Sequence, residues 1–221
     1  MQRRTLTAAL CGAAVLAFGL TGCGEKAPEA PKAVTLTVGA TPVPHADILK
    51  FIEPTLKKEG VNLKVVEFSD YVKPNLALSD KELDANFFQH KPYLDTFSAE
   101  RGLKLSVLCS VHIEPMGVYS RKVKSLKDLP EGAKIAIPND PTNGGRALKV
   151  LADAGLFGLK DGVGVKGTPA DVINNTKNFQ LVELEAATLP RTLDDVDAAV
   201  INSNFAMGVG LNPAKDSLAI E

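Results

Sequence analysis

The chain has 221 residues, 45% of them hydrophobic and 23% charged, a composition that excludes a disordered, collagen-like or multi-spanning protein. With 25 Lys and Arg against 26 Asp and Glu, the net charge of -1 supplies no general positive field, so no nucleic-acid partner is expected. Cys11, Cys23 and Cys109 are too few and too scattered for a disulfide framework or a Cys-x-x-Cys site.

The chain opens with Arg3 and Arg4, followed by an apolar run from Leu6 to Leu20 interrupted only by Thr7. About 15 residues rising roughly 1.5 Å each fall short of the roughly 30 Å of hydrocarbon that a spanning helix crosses. Residues 1–22 therefore read as a cleaved export signal. Its end, Leu20-Thr21-Gly22-Cys23, resembles the bacterial lipobox, which implies acylation of Cys23 and a membrane anchor made of several acyl chains. The globular part is then expected outside the cytoplasm, in the periplasm or on the cell surface. Residues 23–33, rich in Pro, Ala and charge, read as a tether.

Thr35–Ala40 and Leu63–Phe68 are short β-branched runs. Between them Ile48, Leu49, Ile52 and Leu56 fall on one face of a helix, so the unit reads as βαβ with parallel strands and a right-handed crossover. Pro54, inside that helix, predicts a kink. Cys109 lies in the apolar run Leu105–Val111 and is expected to be an inert core residue. Further on, Lys134–Pro138 reads as a strand, and Ala147, Val150, Leu151 and Ala154 mark a helix ended by Gly155. Leu181–Leu184 and Ala198–Ile201 are further strands, the second apolar enough to be covered on both faces. Two α/β lobes follow. Asp216–Glu221 reads as the start of a strand with no closing helix after it, so the expected chain is truncated at its C-terminus.

Two segments concentrate chemistry. Leu83–Tyr93 gathers Phe87, Phe88, His90 and Tyr93, with Tyr71 upstream; in a chain with twelve aromatics this is either a satellite core or a pocket wall. Pro138–Arg146 is a turn-rich loop leading into the Ala147–Ala154 helix. Glycine-freed N–H groups, the positive helix end and the Arg146 fork suit an anion, while the plainer reading is a surface Arg. Asn202 and Asn204 follow the Ala198–Ile201 strand at the sheet edge where α/β folds bind ligands. His112-x-Glu114 would share a strand face, and His90 could be imagined joining them, but with only three histidines and no second carboxylate spaced to complete a set, no metal is expected. Asp194, Asp195 and Asp197 read as turn charges. No dinucleotide, Walker, nucleophile-elbow or zinc-protease motif occurs, so neither a cofactor nor an enzyme is expected; His90 or His112 with Glu114 as an acid/base pair would lack a nucleophile.

Asp84–Tyr93, Glu114–Gly117, Ala136–Arg146 and Asp195–Asn202 resemble the NLPA lipoproteins, the methionine-binding subunits of bacterial ABC importers. The resemblance spans roughly residues 34 to 221. It implies a type II periplasmic-binding-protein fold with two α/β lobes around a ligand cleft, lobe 1 over 34–113, lobe 2 over 114–202, and an incomplete return to lobe 1 over 203–221. It also implies that Tyr71, Phe88, His90 and Tyr93 line a pocket for the methionine side chain, with Phe87 beside them. Arg146 would hold the carboxylate and Asn202 the amino-acid backbone; Glu114 and Asn204 stand next to them as further candidates. Implied partners are L-methionine or a close analogue, an importer permease and an ATPase. The alternative ligands are a methionine-containing dipeptide, D-methionine or another small amino acid.

Overall fold

The computed structural model describes residues 33–221, so the export signal, Cys23 and nearly all of the tether lie outside the described residues. β1 (Val34–Ala40), β2 (Val61–Glu67) and β3 (Ala85–Phe87) form a parallel sheet in the order β2-β1-β3. α1 (Asp47–Lys58) makes the crossover from β1 to β2, and α2 (Lys73–Ser79) packs beside β3. α3 (Lys91–Arg101) follows, ended by Gly102 in the left-handed conformation that only glycine adopts without strain. Of the four apolar positions expected to bury one face of α1, only Leu49 is buried, and Ile52 is exposed.

A second sheet carries the larger core. β4 (Gly117–Tyr119), β5 (Lys134–Pro138), β8 (Gln180–Leu184), β9 (Ala198–Ile201) and β10 (Ala219–Ile220) run in the order β10-β4-β9-β5-β8. β6 (Gly158–Leu159) and β7 (Val172–Ile173) form a separate antiparallel pair. β5 is parallel to β8 and β9, while β4 is antiparallel to β9 and β10. Alternation decides which face each side chain joins. Ile135, Ile137, Ala198 and Val200 pack with Leu148 and Leu151 of α4 (Pro141–Asp153) on one side; Ala136, Ala199 and Ile201 pack with Leu189 and Leu193 on the other. The all-buried β9 is the strand covered on both faces that its composition predicts.

Four expectations change. α4 begins at Pro141, not near Ala147: Asp140 and Pro141 form a capping residue and a first-turn proline, and Gly144 and Gly145 lie inside the helix. Cys109 is exposed, because the run around it joins no strand among the described residues and leaves Leu108 85% and Ile113 91% exposed. Asp197 is more than a turn charge, since its carboxylate accepts the Lys134 N–H at 2.8 Å and ties β5 to the turn before β9. Residues 203–221 divide: α5 (Ser203–Gly208) packs on the Pro42–Ala46 turn, whereas β10, after α6 (Pro213–Asp216), joins β4 of the second sheet and not the first. No helix among the described residues is long and apolar enough to cross a membrane.

Candidate ligand-binding site

The candidate residues follow the carboxyl ends of parallel strands, where open α/β sheets leave backbone groups and loops free for ligands. β2 leads into Tyr71, β3 into Phe88 and His90, β5 into Asp140 and α4, and β9 into Asn202. The Phe87–His90 segment is held by amides: buried Asn75 exchanges two 2.8 Å hydrogen bonds with Gln89 and accepts one from Asn86 Nδ2 at 2.9 Å.

Tyr71, Phe88, His90 and Tyr93 come together. The Tyr71 ring centroid lies 5.9 Å from Phe88 and 5.8 Å from Tyr93, and His90 is 6.4 Å from Tyr93. Phe205 of α5 completes the cluster at 4.8 Å from Tyr71. The Tyr71 hydroxyl donates to Asn204 Oδ1 at 2.5 Å, and the Tyr93 hydroxyl donates to the Tyr71 carbonyl at 2.9 Å. Burial raises the pKa of both phenols, so both remain neutral donors. Phe87 points elsewhere, with its ring against His45 and His112.

Arg146 lies in the second turn of α4, not at the helix end, and its side chain is only 14% exposed. The helix end is already occupied. Asp140 accepts the Asn143 N–H at 2.9 Å and both oxygens accept from Asn143 Nδ2. Those acceptor-only oxygens fix the Asn143 amide. Its Oδ1 therefore faces outward, accepting from Arg146 Nη1 at 3.2 Å and from Asn202 Nδ2 at 3.0 Å. The chain of assignments leaves Asn202 Oδ1 as a buried acceptor with no protein partner, and His90 Nε2 is likewise buried and unpartnered. Buried polar atoms normally have partners, and the Asn202 orphan lies on an amide that shares Asn143 Oδ1 with Arg146, which marks a candidate polar binding site.

The Arg146 fork is not free. Nε and Nη2 bind the Glu221 carboxylate at 2.9 and 2.5 Å, and Nη2 also donates to the Glu114 carbonyl at 3.0 Å. Burial would raise the Glu221 pKa, but Arg146 and the Met116 N–H outweigh it and hold it low. The Glu114 side chain turns away from Arg146 toward His45 and His112, and burial raises its pKa against the pull of His112, the Asn204 N–H and Arg146. A cleft of about 190 Å³ opens beside the cluster, between α3 and the start of α4, lined by Val72, Tyr93, Phe97, Asp140 and Thr142.

Burial, reinforced by Arg146, pushes His90 down to about 4, against the opposing charges of Asp140 and Glu221. Released by unfolding, His90 returns toward 6.5, so between these values the unfolded chain binds a proton that the folded chain refuses. This contribution to stability is complete above pH 6.5 and is lost as pH falls toward 4. From about pH 7 to pH 5, wild type is expected to lose about 2 kcal/mol more unfolding free energy than His90→Gln, measured in urea. Equal losses would mean that the fold does not hold His90 neutral.

The sequence profile of the NlpA lipoprotein family matches residues 36–221. This chain belongs to the NlpA lipoprotein family. Its relatives include the D-methionine-binding lipoprotein MetQ of Escherichia coli K12, 46% identical over 220 residues, an alignment covering 97% of this chain and 79% of the relative. Among solved structures similar to this NlpA chain is a nutrient binding protein from Burkholderia cenocepacia bound to methionine, with a TM-score of 0.81 at 48% identity, covering 84% of this chain and 79% of that one. A periplasmic substrate-binding protein of an ABC transporter from Coxiella burnetii matches with a TM-score of 0.80 at 42% identity, covering 84% and 79%.

Phe205 and Asn143 carry no local signal in the sequence as site residues. Phe205 is a lone aromatic, and only its return across the fold to Tyr71 reveals it. Asn143 sits in a segment that reads as a turn, and only the helix together with its Asp140 cap aims its amide oxygen at Asn202 and Arg146.

Proposed function

We propose that this chain captures methionine outside the cytoplasm, tethered through a lipid on Cys23, and delivers it to an ABC import permease powered by an ATPase. The observation that carries the reading is the orphaned Asn202 Oδ1 beside Arg146 and an aromatic cluster. It occurs in a chain 48% identical to a protein whose structure holds methionine.

The chemistry matches the ligand at each end. A free amino acid is a zwitterion, and burying its carboxylate without a partner costs several kcal/mol. Arg146 meets that need. Its Nη1 carries a second hydrogen beyond the one given to Asn143, and displacement of Glu221 would expose the bidentate fork. Asn202 Oδ1 offers an acceptor to the ammonium group. The thioether is soft and apolar, and Tyr71, Phe88 and Tyr93 give it aromatic edges worth about 0.3–1.5 kcal/mol each, with His90 beside them. Asn204 acts through Tyr71, whose hydroxyl it holds.

Aromatic residues come mainly from the first sheet and Arg146 and Asn202 from the second, so a bound ligand would bridge lobe 1 (34–113) and lobe 2 (114–202) and favour a closed state that the importer reads. The test is recovery of ligand: the full chain purified from cells grown with isotopically labelled methionine, washed, then denatured, is expected to release labelled methionine at close to one per chain by mass spectrometry. Release of a different amino acid at that stoichiometry would replace the ligand while keeping the fold.

A further inference from the structure

His45 follows β1 in the Pro42–Ala46 turn and is 4% exposed. Its Nδ1 lies 2.7 Å from the hydroxyl of fully buried Thr41, and its Nε2 lies 3.2 Å from Glu114 Oε1. His112 approaches the same oxygen with its own Nε2, at 2.5 Å. Phe87 presents its ring to both imidazoles, at 4.6 and 5.4 Å between centroids, and walls one side of the group. The three ligand atoms all lie within 4.8 Å of one another. Arg146 meets Glu114 only at its backbone carbonyl, and the Glu114 carboxylate, besides facing the two histidines, accepts the backbone N–H of Asn204.

We propose that His45, His112 and Glu114 bind a zinc ion, with three protein ligands and a fourth position open to water on the side of the part-exposed His112. Two imidazole nitrogens and one carboxylate are a donor set that zinc takes in open, three-ligand sites. Tetrahedral bonds of about 2.0–2.1 Å place neighbouring ligand atoms roughly 3.3 Å apart. The His45–Glu114 separation already has that value. His112 must back away from Glu114 by less than about 1 Å and swing toward His45, the ligand atoms now lying within 4.8 Å of one another; it sits on a segment without regular secondary structure and is part-exposed. Thr41 supplies the outer partner: with the ion bound, its oxygen would accept the Nδ1–H of His45, which leaves the Nε2 lone pair facing the ion. A bound ion would join the turn after β1 to the segment leading into β4.

The test is zinc titration of the full chain carrying Cys109→Ser, which removes the exposed competing thiolate. One zinc per chain is expected, together with a cobalt(II) visible spectrum typical of four-coordination. His112→Ala, at a part-exposed position, is expected to weaken zinc binding by about 100-fold or more while the circular dichroism spectrum is unchanged. Thr41→Val, which touches no ion, is expected to weaken it about 10- to 100-fold. Absence of stoichiometric zinc binding in the parent chain overturns the proposal, as does undiminished binding in folded His112→Ala.

Discussion

Replacing Arg146 by Ala is expected to weaken methionine binding by about 3–5 kcal/mol, roughly 150- to 5,000-fold in Kd. The guanidinium is mostly buried and already organised by Asn143 Oδ1 and the Glu114 carbonyl, so little ordering remains to be done when a carboxylate arrives. Without it, the ligand carboxylate enters a low-dielectric site with no cation, and Glu221, already in place, opposes it. Arg146→Lys separates charge from shape. It keeps a point charge but loses the planar fork, and an intermediate loss of about tenfold is expected. Calorimetric titration of each variant checks both values. Near-wild-type affinity in a folded Arg146→Ala chain would remove Arg146 from the site.

The second large effect concerns the helix that carries Arg146. Gly145 lies against the segment Gly164–Lys166, and a Cβ there would sit 2.0 Å from the Val165 carbonyl oxygen and 2.4 Å from its carbon. Those are backbone atoms, so no side-chain rotation relieves the overlap. Gly144 is similarly close to β5, its Cβ position being 2.8 Å from the Pro138 carbonyl oxygen. Helix propensity alone would favour Gly145→Ala by about 1 kcal/mol. The packing argument gives the opposite sign: a loss of about 3 kcal/mol or more in urea unfolding, with weaker methionine binding because α4 moves away and takes Arg146 with it. A stabilised Gly145→Ala chain would show that α4 does not need this close approach.

The same pair of glycines explains what the sequence hid. Pro-Asn-Asp-Pro-Thr-Asn-Gly-Gly reads as a turn because glycine and proline dominate it. In the fold Asp140 caps the helix, Pro141 starts it, and the glycines are its contact face. The β-branched and all-apolar strands were legible because their periodicity and burial agree: β1, β2, β5, β8 and β9 fall within a residue or two of their expected limits. The run around Cys109 has comparable composition, yet a strand also needs a partner ladder, and a single sequence does not record whether one stands alongside.

At the candidate site, the density of aromatic residues over Leu83–Tyr93 marked the segment in which Phe88, His90 and Tyr93 meet Tyr71. Density did not separate neighbours. Phe87 and Phe88 are adjacent in sequence and face different clusters, one the histidines and the other the tyrosines. His112 and Glu114 do meet, as their spacing suggested, but in a loop and with His45 as the third member in place of His90. Contacts between distant segments decide such groupings, and local pattern carries no record of them.

The most direct test of methionine capture is calorimetric titration of L-methionine into the full chain, unfolded and refolded to strip bound ligand, with circular dichroism confirming the fold. Saturable binding at one methionine per chain is expected. A folded chain that takes up no methionine would contradict the proposed function.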